Sequence, residues 1–188
     1  EHAGAAPART LVVHDAAADG IRPLPWDEKR EALSALLPHV RRGGWRGVCA
    51  YFGNFYPGRG VEVIAEMAKR EPKIMFVLFG ERKRTSSLPE LPNLHYAGFV
   101  SHPNALQAMK AVDVLLMPYQ HSVSIGVRGH DTARWMSPMK MFEYLASGTP
   151  IVSSDLTVLR EVLRHGENAL LVPPTAVDQW AAAVRLIL

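Results

Sequence analysis

Apolar residues come in short runs along most of this chain, and the runs alternate with stretches in which they recur every three or four positions. The run VCAYF predicts a strand over 48–52, and IMFVLF, HYA, VLLM and IVSS predict further strands over 74–79, 95–97, 114–117 and 151–154. Helical spacing predicts helices over 60–70, 104–110 and 157–163, another opening near Pro138, and an apolar-faced one over 177–188. Ahead of these, 28–40 reads as an amphipathic helix and TLVVH (10–14) as a short strand. The stretch between them is broken by Gly20, Pro23 and Pro25, and 41–44 is a basic, glycine-rich turn. Short buried strands alternating with helices imply a parallel sheet covered on both faces, a doubly wound α/β domain.

In such a sheet, ligands bind outside the carboxyl ends of the strands, so the loops after Phe52, Phe79, Ala97 and Met117 should converge with the start of the Pro138 helix. The segment SPMKMFEYLASGTPIVSSD carries the strongest chemistry. Ser137 fits an N-cap and Pro138 the first helical position, which would leave the N–H groups of Met139, Lys140 and Met141 facing outward, ready for an anion. Lys140 sets a positive charge in a first turn where the helix dipole favours acids, a conflict that bound phosphate would resolve. Glu143, one turn further on, is placed to accept hydrogen bonds from a ribose diol. The same spacing also describes an ordinary amphipathic helix with Lys140 and Glu143 as a solvated pair. In the loop GNFYPGRG, Gly53 permits close backbone approach and Arg59 can grip a diphosphate through two N–H bonds; a solvated surface charge is the plainer alternative for Arg59.

Composition narrows the classes. With 188 residues and 48% hydrophobic content, the chain can bury a substantial core. A net charge of +3, from 21 basic and 18 acidic residues, is too balanced for a nucleic-acid binder, and a small phosphate suits it better. Cys49 is the sole cysteine and lies in an apolar run, so it reads as a buried strand residue; no disulfide framework is possible and a reducing cytoplasm is expected. No apolar run reaches the ~20 residues needed to span a bilayer. The chain does not begin with Met and ends inside an apolar helix pattern, so a fragment of a longer polypeptide is expected.

The run SPMKMFEYLASGTPIVSSDLTVLREVL with the following NALLVPP resembles the donor-binding half of the family 4 (group 1) retaining glycosyltransferases of GT-B fold. YFGNFYPGRGVEVIAEMA, NLHYAGFV and VDVLLMPY are similar to the family's other segments in the same order, and together they cover 47–188. The resemblance implies a Rossmann-like domain over 46–188, the C-terminal half of a GT-B fold, with 1–45 as the crossover from an absent acceptor domain. It implies transfer of a hexosyl group from a nucleotide-diphosphate sugar with retention, in the cytoplasm and in carbohydrate biosynthesis. The fragment alone is expected to be inactive. The missing domain of the same polypeptide is the implied partner, through which peripheral membrane association is allowed.

Carried over residue by residue, Arg59 and Lys140 stabilise the leaving diphosphate. Gly53, Asn54, Gly80, Phe99, Ser137, Pro138, Met139, Met141 and Glu143 line the nucleotide, with Phe99 beside the base unless it packs in the core. The chain departs from the family twice: Asn54 stands where a cation is usual, and Trp135 stands where a first glutamate meets the donor sugar. Asp131 is the substitute for that glutamate, within a long loop that also holds His121, Arg128, His130 and Arg134. Neither a metal nor another cofactor is expected, since the cations and the helix end carry the charge. The basic run Arg82, Lys83, Arg84 reads as a solvated loop.

Two other classes remain open. A dinucleotide oxidoreductase is disfavoured because GNFYPGRG lacks the GxGxxG spacing. A non-catalytic α/β interaction module descended from such a domain fits the two departures. Base identity is open among uridine, guanosine and adenosine.

Overall fold

The computed structural model describes residues 13–38, 40, 44–81, 88–124 and 131–188. The apolar runs form β1 (Gly47–Phe52), β2 (Ile74–Phe79), β3 (Leu94–Gly98), β4 (Val114–Met117), β5 (Ile151–Ser154) and β6 (Leu170–Val172). They join in one parallel sheet of order β3-β2-β1-β4-β5-β6. The helices are α1 (Trp26–Leu36), α2 (Val61–Arg70), α3 (His102–Ala111), α4 (Met139–Ser147) and α5 (Val177–Ile187). The chain order reverses between β1 and β4, which opens a crevice at the carboxyl ends of those two strands.

Alternation along the strands divides the core into two layers. Val48, Ala50 and Phe52 pack with Leu33 of α1, Met109 of α3 and Tyr144 of α4, whereas Cys49 and Tyr51 pack with Ile64 of α2 and Trp180 of α5. Both sides of β1 and β2 are buried, as parallel strands between helices require. Trp180 is fully enclosed, and its indole N–H donates to the Pro173 carbonyl at 3.0 Å. Cys49 is buried, and both its burial and the Asp113 charge push its thiol pKa up, so it is an inert core residue.

Three local expectations are corrected. Residues 157–163 do not form an α-helix; only a 3-10 turn, Leu159–Glu161, is present. Arg160 folds back onto the Asp155 carboxylate, and the β-branched Val158 and Val162 give helix propagation little support. The first helix runs earlier than 28–40, because Pro25 serves as its N-cap and Leu37 precedes Pro38, which disfavours helical backbone there. Of the strand expected over 10–14, residues 10–12 lie outside the described residues, and Val13 and His14 have no regular structure. In addition, β6 was not among the expected strands; it forms by pairing Leu170 with Val152 on β5.

The segment leading into α1 lies along α4. Asp15 Oδ2 accepts a hydrogen bond from Ser137 Oγ at 2.7 Å, just before α4 begins. Near the other end, the Pro23 ring sits so close to Gly148 that a Cβ built on that glycine would be 2.4 Å from Pro23 Cγ. Among the described residues, no helix is long and apolar enough to cross a membrane.

Candidate functional site

The loop after β1 is drawn against the loop after β2 by backbone pairing. Gly53 N–H donates to the Phe79 carbonyl at 2.9 Å and Phe55 N–H to the Glu81 carbonyl at 3.1 Å. Gly53 has φ 140°, and a Cβ there would lie 2.8 Å from Lys140 Nζ; at Gly80, φ 136°, a Cβ would lie 2.1 Å from the Gly53 carbonyl oxygen. Only glycines let the two backbones and the lysine share this space. Asn54 ties the loops together, its Oδ1 accepting the Glu81 N–H at 3.1 Å. The residue standing in place of a cation therefore holds the loop in shape.

Arg59 and Lys140 come together over an aromatic floor at the crevice between β1 and β4. Arg59 Nη1 donates to the Tyr119 hydroxyl at 2.7 Å, with the guanidinium carbon 5.1 Å from the ring centroid. Lys140 Nζ stands 4.2 Å from the Tyr51 centroid and 5.1 Å from that of Tyr119. Both Arg59 Nε and Lys140 Nζ are enclosed and have no hydrogen-bond partner among the described residues. Burial and then the Arg59 charge hold the Lys140 ammonium pKa well below its usual value, and Glu143 opposes this only in part. The same burial pushes the Tyr119 and Tyr144 hydroxyls up, with Arg59 opposing the shift at Tyr119.

An unpaired ammonium out of water costs several kcal/mol, and cation–π contact in a desolvated site returns about 2 kcal/mol or more of this. Two neighbouring cations with no ion-pair partner among the described residues, next to open N–H donors, are arranged to receive a multivalent anion. The fixed aromatic floor means little side-chain ordering is left for the ligand to bring about.

The start of α4 differs from expectation in detail. Pro138, not Ser137, is the N-cap; the Ser137 hydroxyl turns away to Asp15, and no side chain caps the helix. Pro138 is extended at ψ 114° and its carbonyl accepts the Met141 N–H at 2.8 Å, so that donor is used. The N–H groups of Met139 and Lys140 keep the open aspect expected of a first turn. The Met141 side chain is in the core, whereas that of Met139 is exposed.

Around this centre, Glu143 is bound by His102, with His102 Nε2 and Glu143 Oε1 2.6 Å apart. Phe99, following β3, is 75% exposed and unused by the core, which leaves its face open. Asp131 is exposed, and its Oδ1 accepts the N–H groups of Val123 and Ala133 at 2.9 Å each. Those two bonds hold its carboxyl pKa below the usual range and make it the clasp of its own loop. Trp135, in the position usual for an acid, is exposed. Arg82, Lys83, Arg84, Arg128 and His130 lie outside the described residues. Among the described residues, no group of three or more His, Cys, Asp or Glu side chains stands close enough to hold a metal ion.

Sequence reasoning brought Gly53, Gly80, Arg59, Lys140 and Glu143 to one end of the sheet but missed Tyr51, Tyr119 and His102. Tyr119 carried a signal, since it follows β4 at the switch point; Tyr51 and His102 act only through contacts with residues far away in sequence. A separate cleft of about 830 Å³ at the amino ends of β1 and β4 is lined by Trp45, Arg46, Asp113 and Pro150, among others. Its buried carboxylate, Asp113, is already engaged by the Val48 N–H at 2.8 Å.

A family model described as glycosyl transferases group 1 matches residues 46–188. Among curated relatives, the phosphatidyl-myo-inositol mannosyltransferase of Mycobacterium tuberculosis is 28% identical over 136 residues, covering 68% of this chain and 33% of the relative. That of Mycobacterium leprae is 32% identical over 165 residues, covering 86% of this chain and 34% of the relative. The chain thus spans about a third of the length of these relatives. Among solved structures, the C-terminal domain of the group 1 glycosyl transferase LpcC from Francisella tularensis superposes with a TM-score of 0.64 at 16% identity, covering 89% of this chain and 84% of that one. HepE of Anabaena, solved with UDP and glucose, gives a TM-score of 0.65 at 17% identity, with coverage of 88% and 43%. At these identities the two structures bear on the fold alone.

Proposed function

This chain belongs to the group 1 glycosyltransferases, and on that premise we propose that its crevice binds the nucleoside diphosphate of a sugar donor. The observation that carries the reading is the enclosed, unpartnered Lys140 Nζ beside Arg59. In this reading the diphosphate lies between Arg59, Lys140 and the open N–H groups of Met139 and Lys140. Glu143 holds the ribose diol, the Gly53 and Gly80 backbones approach the nucleotide, and Phe99 stacks on the base.

As the glycosidic bond to the donor breaks, negative charge gathers on the departing diphosphate. The two cations and the helix end meet that charge more strongly in the transition state than in the ground state, which lowers the barrier. Glu143 orients and takes no part in bond making. Positive charge from side chains serves here in the role a divalent ion plays elsewhere, so binding is expected to persist in the presence of a chelator. A hexosyl donor is supported by relatives named mannosyltransferases. Retention, a cytoplasmic location and the acceptor-side domain belong to the same proposal. The family match beginning at residue 46 supports reading 1–45 as the crossover.

The deciding experiment is calorimetric titration with UDP, GDP and ADP in phosphate-free buffer. Binding of one of them, lost in Lys140→Met and weakened in Glu143→Gln, is the expected result and names the base. Silence from all three would favour the non-catalytic interaction module.

A further inference from the structure

Glu143 lies three residues beyond Lys140 on α4, and its carboxylate charge is felt by the enclosed ammonium. On a helix, acid and base at that spacing attract and commonly pair. Here they do not: Lys140 Nζ makes no hydrogen bond among the described residues, and Glu143 Oε1 is held by His102 Nε2 at 2.6 Å. His102 opens α3, between the Ser101 N-cap and Pro103, so its backbone is fixed by the helix start. Its side chain is 62% exposed and that of Glu143 only 14%, which places the imidazole over the acid on the solvent side. A neutral ring protonated on Nε2 is sufficient to donate this bond.

We propose that His102 is a positioning residue that holds the Glu143 carboxylate away from Lys140, keeping the ammonium free for phosphate and the second carboxylate oxygen free for the ribose. The proposal rests on the donor-site reading above. Without His102, Glu143 turns one step along its own helix and closes on Lys140 as an internal counter-ion. The site then inhibits itself: the anion has to displace a carboxylate before it can bind.

The test is a set of calorimetric titrations with inorganic diphosphate, which has no ribose, and with whichever of UDP, GDP and ADP binds most tightly. These are run on the chain and on His102→Ala, His102→Gln, Glu143→Gln and the His102→Ala/Glu143→Gln double variant, each checked by thermal melting. His102→Ala is expected to weaken inorganic diphosphate by about tenfold, the scale of one charge-assisted bond. His102→Gln, which keeps a side-chain N–H donor, should retain most of the affinity. The double variant should recover wild-type affinity for inorganic diphosphate, because no carboxylate remains to close on Lys140, while staying weak for the nucleotide. If His102→Ala does not fold, His102→Asn, too short to reach Glu143, replaces it with the same expectation.

Equal inorganic diphosphate affinity in the wild type and His102→Ala overturns the proposal, as does a double variant that fails to recover. A merely structural histidine would lower affinity and melting temperature together, with no rescue by Glu143→Gln. A wild-type chain that binds neither ligand instead removes the donor-site reading itself, and this inference with it.

Discussion

The ammonium of Lys140 stands 4.2 Å from the centroid of the Tyr51 ring and has no hydrogen-bond partner among the described residues. This places a charge where the fold gains little from it, an arrangement that favours a ligand over the empty protein.

Lys140→Met removes the charge and keeps the apolar stem. Its melting temperature is expected to equal or exceed that of the wild type, while nucleoside diphosphate affinity falls by about tenfold to a hundredfold, the scale of one or two hydrogen bonds to a charged group. A variant that loses stability and retains affinity would contradict this.

Nucleotide binding should draw in a proton wherever the solution pH lies between the depressed folded value of Lys140 and its ordinary 10.5, because phosphate raises that value again. Calorimetry in two buffers of different ionisation enthalpy checks this, with uptake expected in the wild type and absent in Lys140→Met. The sign for stability follows from the same shift. Between the depressed folded value and 10.5 the unfolded chain binds more protons, so the deficit of the wild type relative to Lys140→Met should shrink as pH rises toward 10.5.

Tyr119→Phe deletes the acceptor for Arg59 Nη1, a 2.7 Å bond, while keeping the ring beneath both cations. A loss of about 1 kcal/mol in diphosphate binding is expected from a freed guanidinium. Titration of this variant beside Arg59→Lys separates the anchoring of Arg59 from its two-pronged grip.

Phe99→Ala should leave the melting temperature nearly unchanged, because the ring is 75% exposed. Nucleotide affinity should fall by about 1–3 kcal/mol, the scale of base stacking on an aromatic ring, while inorganic diphosphate binds as before. An equal loss for both ligands would remove Phe99 from the base.

The strands over 74–79, 114–117 and 151–154 were legible to the residue, because each is a dense apolar or β-branched run bounded by breakers and buried on both faces. Residues 157–163 misled because their apolar spacing is helical, whereas the Arg160 contact with Asp155 and the nearby return to β6 leave room for one tight turn. Ser137 was misplaced for a related reason: its hydroxyl had a choice between the helix and Asp15, 122 positions away, and only the fold decides between them. Arg59 and Lys140 could be found from local motifs. The tyrosine floor and His102 could not, since each exists only where distant elements meet.

The contacts of Asp15 with Ser137 and of Pro23 with Gly148 fasten a single stretch of chain to both ends of α4. That stretch is a bridle on the helix that carries Lys140 and Glu143. The placing of the ammonium and of the carboxylate therefore depends on residues 15–23 as well as on the sheet beneath the helix.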